Sequence, residues 1–355
     1  MQRKDLVFFS LCLVGILLMV TVAASATWLP VSLNALSRRF AASQQDASGV
    51  AATRTPRPTL TPRQAAAVKP AATAQATPTV SAGTTDQRSA VAGRGAAGAA
   101  QAAALNGVPI EKIVVLPDAV RRSIAGIYAK GQTLGRNQRA FSKVGDSTMV
   151  WPPFLAAFDD ATAYKLGAYG ALQSTVTHFA GSFARSSLAV QKNLHSWGEF
   201  DAALADKAQC KSGEGPLACE LRLSNASIAI IRLGVNDAYV PDAFESSMRK
   251  IVDTCLANGV IPILGTKPDR LEGPDNTINK IIYRLADAYS IPLWDYDLIA
   301  ETVPGKGLDA DKMHFLPGGS HDYTSPEALR WADSLEDLTG LMMLDAIYRE
   351  LQPAR

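Results

Sequence analysis

Cysteine, histidine and net charge are all scarce in this chain. Its 355 residues include four cysteines and four histidines, and no two cysteines lie at C-x-x-C spacing. Without such a pair, or a His/Cys cluster at metal-ligand spacing, the sequence does not favour a zinc enzyme. The formal net charge is only +2, and no basic stripe or known nucleic-acid-binding motif is present, which argues against nucleic acid as a partner.

Common catalytic and cofactor motifs are missing as well. No G-x-S-x-G elbow occurs, so the α/β-hydrolase arrangement loses support. The G-x-G-x-x-G match at residues 93–98 follows no predicted strand and lies in an Ala/Gly run, which does not indicate a dinucleotide site. The S-x-x-K match at residues 247–250 falls inside a predicted amphipathic helix and has no accompanying K-T-G, so we treat it as a chance match. We therefore expect neither a metal nor a cofactor.

Residues 1–30 have the pattern of an export signal. Arg3 and Lys4 precede an uncharged run from Leu6 to Ala24, and Ala24-Ser25-Ala26 matches a signal-peptidase site. The run also reaches the length of a transmembrane helix, so a cleaved signal peptide and a retained membrane anchor both stay open. In either case we expect the bulk of the chain to lie outside the cytoplasm.

Residues 31–105 are predicted to be a disordered linker. The stretch is rich in Ala, Thr and Pro, with 8 Lys/Arg against 2 Asp/Glu, whereas residues 106–355 hold 25 against 30. It has too few large apolar side chains to offset the entropy of ordering. We interpret it as a solvated spacer that holds one domain, residues 106–355, away from a surface.

Apolar runs and helical patterns alternate within residues 106–355. Strand, helix, strand, helix, strand implies a parallel sheet, and ligands of such sheets bind beyond the carboxyl ends of the strands. The site is therefore expected just after Val144, Leu233, Leu264 and Trp294. Strands are predicted at residues 140–144, 227–233, 260–264 and 291–294, and helices at residues 244–258, 277–290 and 325–351.

Three short motifs follow these predicted strands. They are Gly145-Asp146-Ser147, Gly234-Val235-Asn236-Asp237 and Asp311-Lys312-Met313-His314. Each is weak alone, but in this order they resemble the first, third and fifth blocks of the SGNH (GDSL-type) esterase and acyl-hydrolase family. The resemblance spans roughly residues 113–351. It implies a three-layer α/β/α fold with a central parallel sheet, flavodoxin-like in arrangement, and a serine hydrolase that needs no cofactor.

Ser147 is the candidate nucleophile, although a helix N-cap is the alternative role for a serine in this position. A serine hydroxyl needs a neighbouring base, and His314 is the favoured one because Asp311 can hold its ring from three residues away. His321, followed by Asp322, is the competitor. We expect His178, in a strand-like run, and His195, in a polar segment, to be structural.

An oxyanion formed at Ser147 would need hydrogen-bond donors. The side-chain amide of Asn236 and the backbone N–H of Ser147 are candidates, although Asn236 could also be a simple turn residue. The resemblance implies a further donor from a glycine in the family's second block. Residues 181–193 depart from that pattern, because no glycine lies at the expected place, and Gly181 and Gly198 are the nearest substitutes.

The cysteines agree with export. Cys210 and Cys219 flank a polar, turn-rich loop and are expected to form a disulfide outside the cytoplasm. Cys255 lies on the apolar face of a predicted helix, where a buried free thiol is usual. Cys12 falls within the apolar N-terminal run.

The predicted function is therefore an extracytoplasmic serine ester hydrolase acting through an acyl-serine intermediate. The family that the motifs resemble includes lipases, thioesterases and carbohydrate O-deacetylases, so the substrate is a small-molecule, glycan or lipid ester. A long surface spacer favours O-acetyl esters of envelope or extracellular glycans. The alternative is a non-catalytic surface module, for binding or scaffolding, with a degenerate fold of this family.

Overall fold

The computed structural model describes residues 104–352, so the predicted segment 1–30 and the predicted linker up to residue 103 lie outside the described residues. The described chain opens with a ribbon in which β1 (Ala104–Leu105) pairs antiparallel with β2 (Val108–Pro109). Leu105 is 1% exposed and packs in the core. The packed part of the chain thus includes two residues that composition assigns to the linker.

A five-stranded sheet lies at the centre of the domain. Its spatial order is β3-β7-β6-β5-β4, and neighbours among β4 to β7 are parallel. β3 pairs antiparallel with β7, so the predicted parallel sheet has one antiparallel edge. The strands are β3 (Val114–Val115), β4 (Asn137–Gly145), β5 (Ala226–Arg232), β6 (Ile261–Gly265) and β7 (Leu293–Trp294).

Helices cover both faces of this sheet, which confirms the predicted three-layer α/β/α fold. Two hydrophobic cores separate the layers, one against α2 and α8 and the other against α4, α5 and α6. All seven residues of β5 are buried, as expected for a strand covered on both faces. The helices are α1 (Ile110–Ile113), α2 (Asp118–Thr133), α3 (Gln173–His178), α4 (Pro216–Ser224), α5 (Pro241–Ala257), α6 (Thr277–Tyr289), α7 (Tyr296–Ala300) and α8 (Ala332–Leu351).

Two local predictions were wrong. The predicted helix over residues 325–351 is interrupted, because Pro326–Arg330 forms a separate 3-10 turn and Trp331 is extended before α8 begins. His178 lies at the end of α3 and not in a strand. The run around His178 was too short to settle the conformation. At residues 325–351 the extended backbone of Trp331 separates the turn from α8, and the sequence pattern did not show this break.

The topology creates a crevice beside β4. Gly145 forms an isolated parallel bridge with Val190, so residues 189–191 lie on the outer side of β4. Counting that segment, the strand order follows the flavodoxin-like pattern, whose ligands bind where neighbouring connections diverge. A Cβ on Gly145 would collide with the Met149 side chain and lie 2.9 Å from the carbonyl oxygen of Arg232, so this strand end requires glycine.

Cys210 and Cys219 form the disulfide expected from the sequence, and Cys255 is buried with a free thiol. Burial raises the pKa of Cys255 to about 12, which keeps it protonated and unreactive. Among the described residues, the one potential metal-ligand group consists of Cys210, Cys219 and Glu214. The two cysteines are joined in the disulfide, and Glu214 is paired with Arg222 at 2.6 Å. None of the helices within residues 104–352 has the length and apolar content to cross a membrane.

Replacing both Cys210 and Cys219 by serine should lower the free energy of unfolding by about 2.5 to 3 kcal/mol, the loop-closure entropy of a ring of about ten residues. Urea denaturation of the full chain, with and without reductant, measures the difference. Cys255→Ser is the control, because that thiol makes no cross-link and its change should not depend on reductant. An equal stability for reduced and oxidised protein would contradict the expectation.

Candidate active site

Ser147 lies at the mouth of the crevice. It begins the 3-10 turn Ser147–Met149 directly after β4 and is half-buried. The cap of this turn is Asp146, whose Oδ1 accepts hydrogen bonds from the Thr148 N–H at 3.0 Å and the Thr148 hydroxyl at 2.7 Å. Because Asp146 performs the capping, the alternative role for Ser147 as N-cap does not apply, and its hydroxyl is available for another partner.

That partner is His314. The Nε2 atom of His314 lies 2.9 Å from Ser147 Oγ, and its Nδ1 lies 2.7 Å from Asp311 Oδ2. With the ring proton on Nδ1 donated to the carboxylate, Nε2 accepts the proton of the serine hydroxyl. The structure therefore brings the three predicted residues into one hydrogen-bonded chain. Such a chain can remove the proton of Ser147 as its oxygen attacks an electrophilic carbon.

The Asp311 carboxylate is held by its own turn. Its Oδ1 accepts the backbone N–H groups of Met313 at 2.9 Å and His314 at 3.0 Å. The hydrogen bond from the His314 ring, followed by these backbone bonds, lowers the pKa of Asp311 to about 2. The carboxylate is therefore charged at any pH near neutrality and can stabilise an imidazolium at His314.

His321, the competing base, has a different partner. Its Nε2 lies 2.8 Å from Asp337 Oδ2 on α8, while Asp322 pairs with Lys165 at 2.7 Å. Burial opposes charge on His321, but the hydrogen bond to Asp337 and the nearby acidic charges outweigh it and raise its pKa. Asp337 Oδ1 also accepts the N–H of Leu155 at 2.7 Å, so this pair fastens the loop after Ser147 to α8.

The other two histidines lie elsewhere. The Nε2 atom of His178 is 2.9 Å from the carbonyl oxygen of Gln138, and the His195 ring stacks on Trp197 with centroids 4.1 Å apart. Of the four histidines, all of which fall within residues 104–352, His314 is the one that hydrogen-bonds to Ser147.

The N–H groups of the two glycines suggested as oxyanion donors already have hydrogen-bond acceptors within the protein. Gly181 donates its N–H to Asp159 Oδ1 at 2.7 Å, and Gly198 donates its N–H to the carbonyl oxygen of His195 at 2.9 Å. Both suggestions were wrong because these amides are used in their own loops. The segment beside the end of β4, just before Ser147, is residues 189–191. There the Gly145 N–H donates to the carbonyl oxygen of Ala189 at 2.8 Å.

Asn236 and the backbone of Ser147 fit the donor role better. Asn236 follows β5 and donates one of its two amide protons to the carbonyl oxygen of Leu194 at 3.0 Å, which leaves the second proton for a ligand. The Ser147 N–H has no backbone acceptor among the described residues. Asn193, in the loop after the Ala189–Gln191 segment, takes a positive φ of 60°, a conformation in which glycine is more usual.

Arg232, which the sequence analysis did not single out, connects the turn at Ser147 to α8. It ends β5, is 2% exposed, forms an ion pair with Glu336 of α8, and donates from Nη2 to the carbonyl oxygen of Thr148 at 2.7 Å. A charged residue inside an otherwise apolar strand, just before Gly234, was the available signal. Four aromatic rings surround its guanidinium at 5.7 to 5.9 Å, those of Phe154, Trp294, Tyr296 and Phe315.

No family model and no curated protein matches the sequence. Solved structures do. The chain is similar to a lipolytic protein of the G-D-S-L family from Desulfitobacterium hafniense, at 17% identity and a TM-score of 0.35, over 58% of this chain and 99% of that one. It is also similar to the esterase EstA from Pseudoalteromonas sp., at 14% identity and a TM-score of 0.36, over 58% and 99%.

A GDSL-like lipase from Bacteroides thetaiotaomicron is a further similar structure, at 14% identity and a TM-score of 0.36, over 64% of this chain and 98% of that one. The chemistry proposed below rests on the geometry of Ser147, His314 and Asp311 and on the three sequence motifs.

His314 and Asp311 should both be required for turnover. The pKa of Asp311 is lowered to about 2, so its carboxylate is charged near neutral pH and can hold the His314 ring in place. Asp311→Asn and His314→Ala should each lower kcat on the order of 10³-fold, measured with a small soluble ester.

His321→Gln is the matched control for this experiment, since His321 also pairs with an aspartate but does not touch Ser147. It should retain most of the wild-type kcat, because the glutamine amide can still donate to Asp337. A dead His321→Gln enzyme beside an active His314→Ala enzyme would move the base to His321 and leave Asp311 without a role.

Breaking the buried ion pair should destabilise the domain strongly. Glu336→Gln leaves the Arg232 guanidinium buried without a counter-charge, which should cost about 3 to 5 kcal/mol of unfolding free energy in urea denaturation. The double variant Arg232→Met/Glu336→Leu removes both charges and should cost less than the single change. A single variant within about 1 kcal/mol of wild type would show that the ion pair is not needed for stability.

Proposed function

We propose that the chain is a serine ester hydrolase that works through an acyl-serine intermediate. The observation that carries this proposal is the unbroken chain from Ser147 Oγ to His314 Nε2 at 2.9 Å, and from His314 Nδ1 to Asp311 Oδ2 at 2.7 Å. In the first step Ser147 Oγ bonds to the ester carbonyl carbon while its proton passes to His314 Nε2. The carbonyl oxygen becomes an oxyanion, and the Ser147 N–H and the Asn236 amide donate hydrogen bonds to it.

Collapse of this tetrahedral intermediate expels the alcohol. His314 returns its proton to the leaving alkoxide, so the products of the step are a neutral alcohol and the acyl-serine ester at Ser147. Water then attacks the acyl carbon while His314 accepts its proton, and the second collapse releases the carboxylic acid and restores the serine hydroxyl. Asp311 stays ionised and stabilises the imidazolium in both halves.

We place the enzyme outside the cytoplasm and assign it an acyl ester of an envelope or extracellular glycan. Three features support this placement: the export pattern of residues 1–30, the Ala/Thr/Pro-rich composition that predicts a spacer after them, and the disulfide between Cys210 and Cys219. A spacer of this length suits a substrate held at a surface. The rival function, a non-catalytic binding module, would use the same fold without turnover.

An organophosphonate probe distinguishes the two functions. The full chain should be labelled at Ser147 and should hydrolyse p-nitrophenyl acetate, because a serine hydroxyl that is hydrogen-bonded to a general base attacks both reagents. Ser147→Ala should lose labelling and reduce kcat on the order of 10³-fold or more while its circular dichroism spectrum is unchanged. Ser174→Ala, an exposed serine on α3, is the control. Labelling at another serine, or turnover by Ser147→Ala, would refute the mechanism.

A further inference from the structure

Three exposed aromatic residues lie on the chain segments that carry the site, and the mechanism uses none of them. Trp151 is 61% exposed and lies one turn after the nucleophile, with its N–H donated to the Ser147 carbonyl oxygen at 3.2 Å. Tyr239 is 80% exposed, three residues beyond Asn236, and Trp197 is 42% exposed. We call Trp151, Trp197 and Tyr239 the aromatic rim. Large aromatic surface exposed beside a polar site marks a ligand-binding surface.

Trp197 is fixed to the site by hydrogen bonds on the segment just before it. The carbonyl oxygen of Leu194 accepts the Asn236 amide at 3.0 Å, and the Ser196 hydroxyl donates to Asp237 Oδ1 at 2.7 Å. The ring of His195 stacks on the indole at an interplanar angle of 13°. One face of Trp197 is thereby backed by a second ring, which orders the indole, and its remaining exposed surface is open to a ligand.

We propose that the aromatic rim binds the sugar chain that carries the ester, with a sugar ring stacked on Trp197 and neighbouring sugars on Trp151 and Tyr239. This inference rests on the proposed function and names its alcohol component. The axial C–H groups of a pyranose ring form an apolar face that matches an aromatic face, while its hydroxyls stay in water. Planar rings fixed at the edge of an open crevice suit such a ligand.

The surrounding charge favours a neutral or amino-sugar chain over an anionic lipid surface. Four exposed carboxylates lie on the segments of the rim and of the catalytic loop, against two exposed lysines on the same segments. Their net negative charge repels anionic phospholipid headgroups and uronic acids alike. The carboxylates are Asp201, Asp242, Asp309 and Asp311, and the lysines are Lys192 and Lys312.

Binding can be measured apart from turnover in the full chain carrying Ser147→Ala. Isothermal titration calorimetry with xylohexaose, cellohexaose and the N-acetylglucosamine hexamer should detect binding of at least one of the three. A second substitution, Trp197→Ala, in the Ser147→Ala chain should weaken that binding by about 10-fold or more. Trp197→Phe in the same background keeps an aromatic ring and should retain most of the binding. Leu134→Ala is the control, because Leu134 is 54% exposed but lies at the opposite end of β4.

Three results would overturn the inference. They are no binding of any hexasaccharide at millimolar concentration, equal binding by the Trp197→Ala variant, and rim-dependent sedimentation with phosphatidylcholine/phosphatidylglycerol vesicles. A wild-type chain that hydrolyses p-nitrophenyl acetate but binds no hexasaccharide would refute the rim and leave the hydrolase standing. Binding of a hexasaccharide by a wild-type chain that hydrolyses no ester would refute the hydrolase and leave the rim standing.

Discussion

The buried guanidinium of Arg232 is the contact on which the geometry of the site depends. It forms an ion pair with Glu336 of the last helix and donates to the Thr148 carbonyl oxygen, next to Ser147. Burial lowers the pKa of Arg232, which shows that the charge is costly to hold there. The cost is offset only because the carboxylate, the carbonyl and the aromatic rings are all in place at once. Arg232 therefore couples the end of β5 to the turn after β4 and to α8.

That coupling extends to His314. Phe315, one of the rings around Arg232, directly follows His314, so the loop that carries His314 packs against the same charge that supports the turn at Ser147. His321 and Asp337 make a second connection between this loop and α8, and Asp337 also holds Leu155. These two polar contacts thus fix the spacing of Ser147 and His314, which are far apart in sequence. This explains why α8 carries several buried acidic residues instead of a single apolar stripe.

Much of the architecture follows from local pattern. The run at residues 226–232 is a central strand because its apolar residues suit a sheet covered on both faces, and α5 and α6 follow their apolar periodicity closely. Ser147, Asn236 and His314 could be found because each lies just beyond a strand or in a motif of fixed spacing. The oxyanion glycines could not, since whether an amide is free depends on partners such as Asp159, which lies 22 residues from Gly181.

By itself, the sequence determined the layered fold, Ser147 as the candidate nucleophile and the cysteine pair, because periodicity, motif spacing and cysteine count are local properties. Tertiary structure decided between His314 and His321, since each is followed or preceded by an aspartate and only packing shows which ring reaches Ser147. It also decided the role of Arg232 and the orientation of Trp197. A buried charge and an exposed ring are both defined by what surrounds them, and those neighbours come from distant parts of the chain.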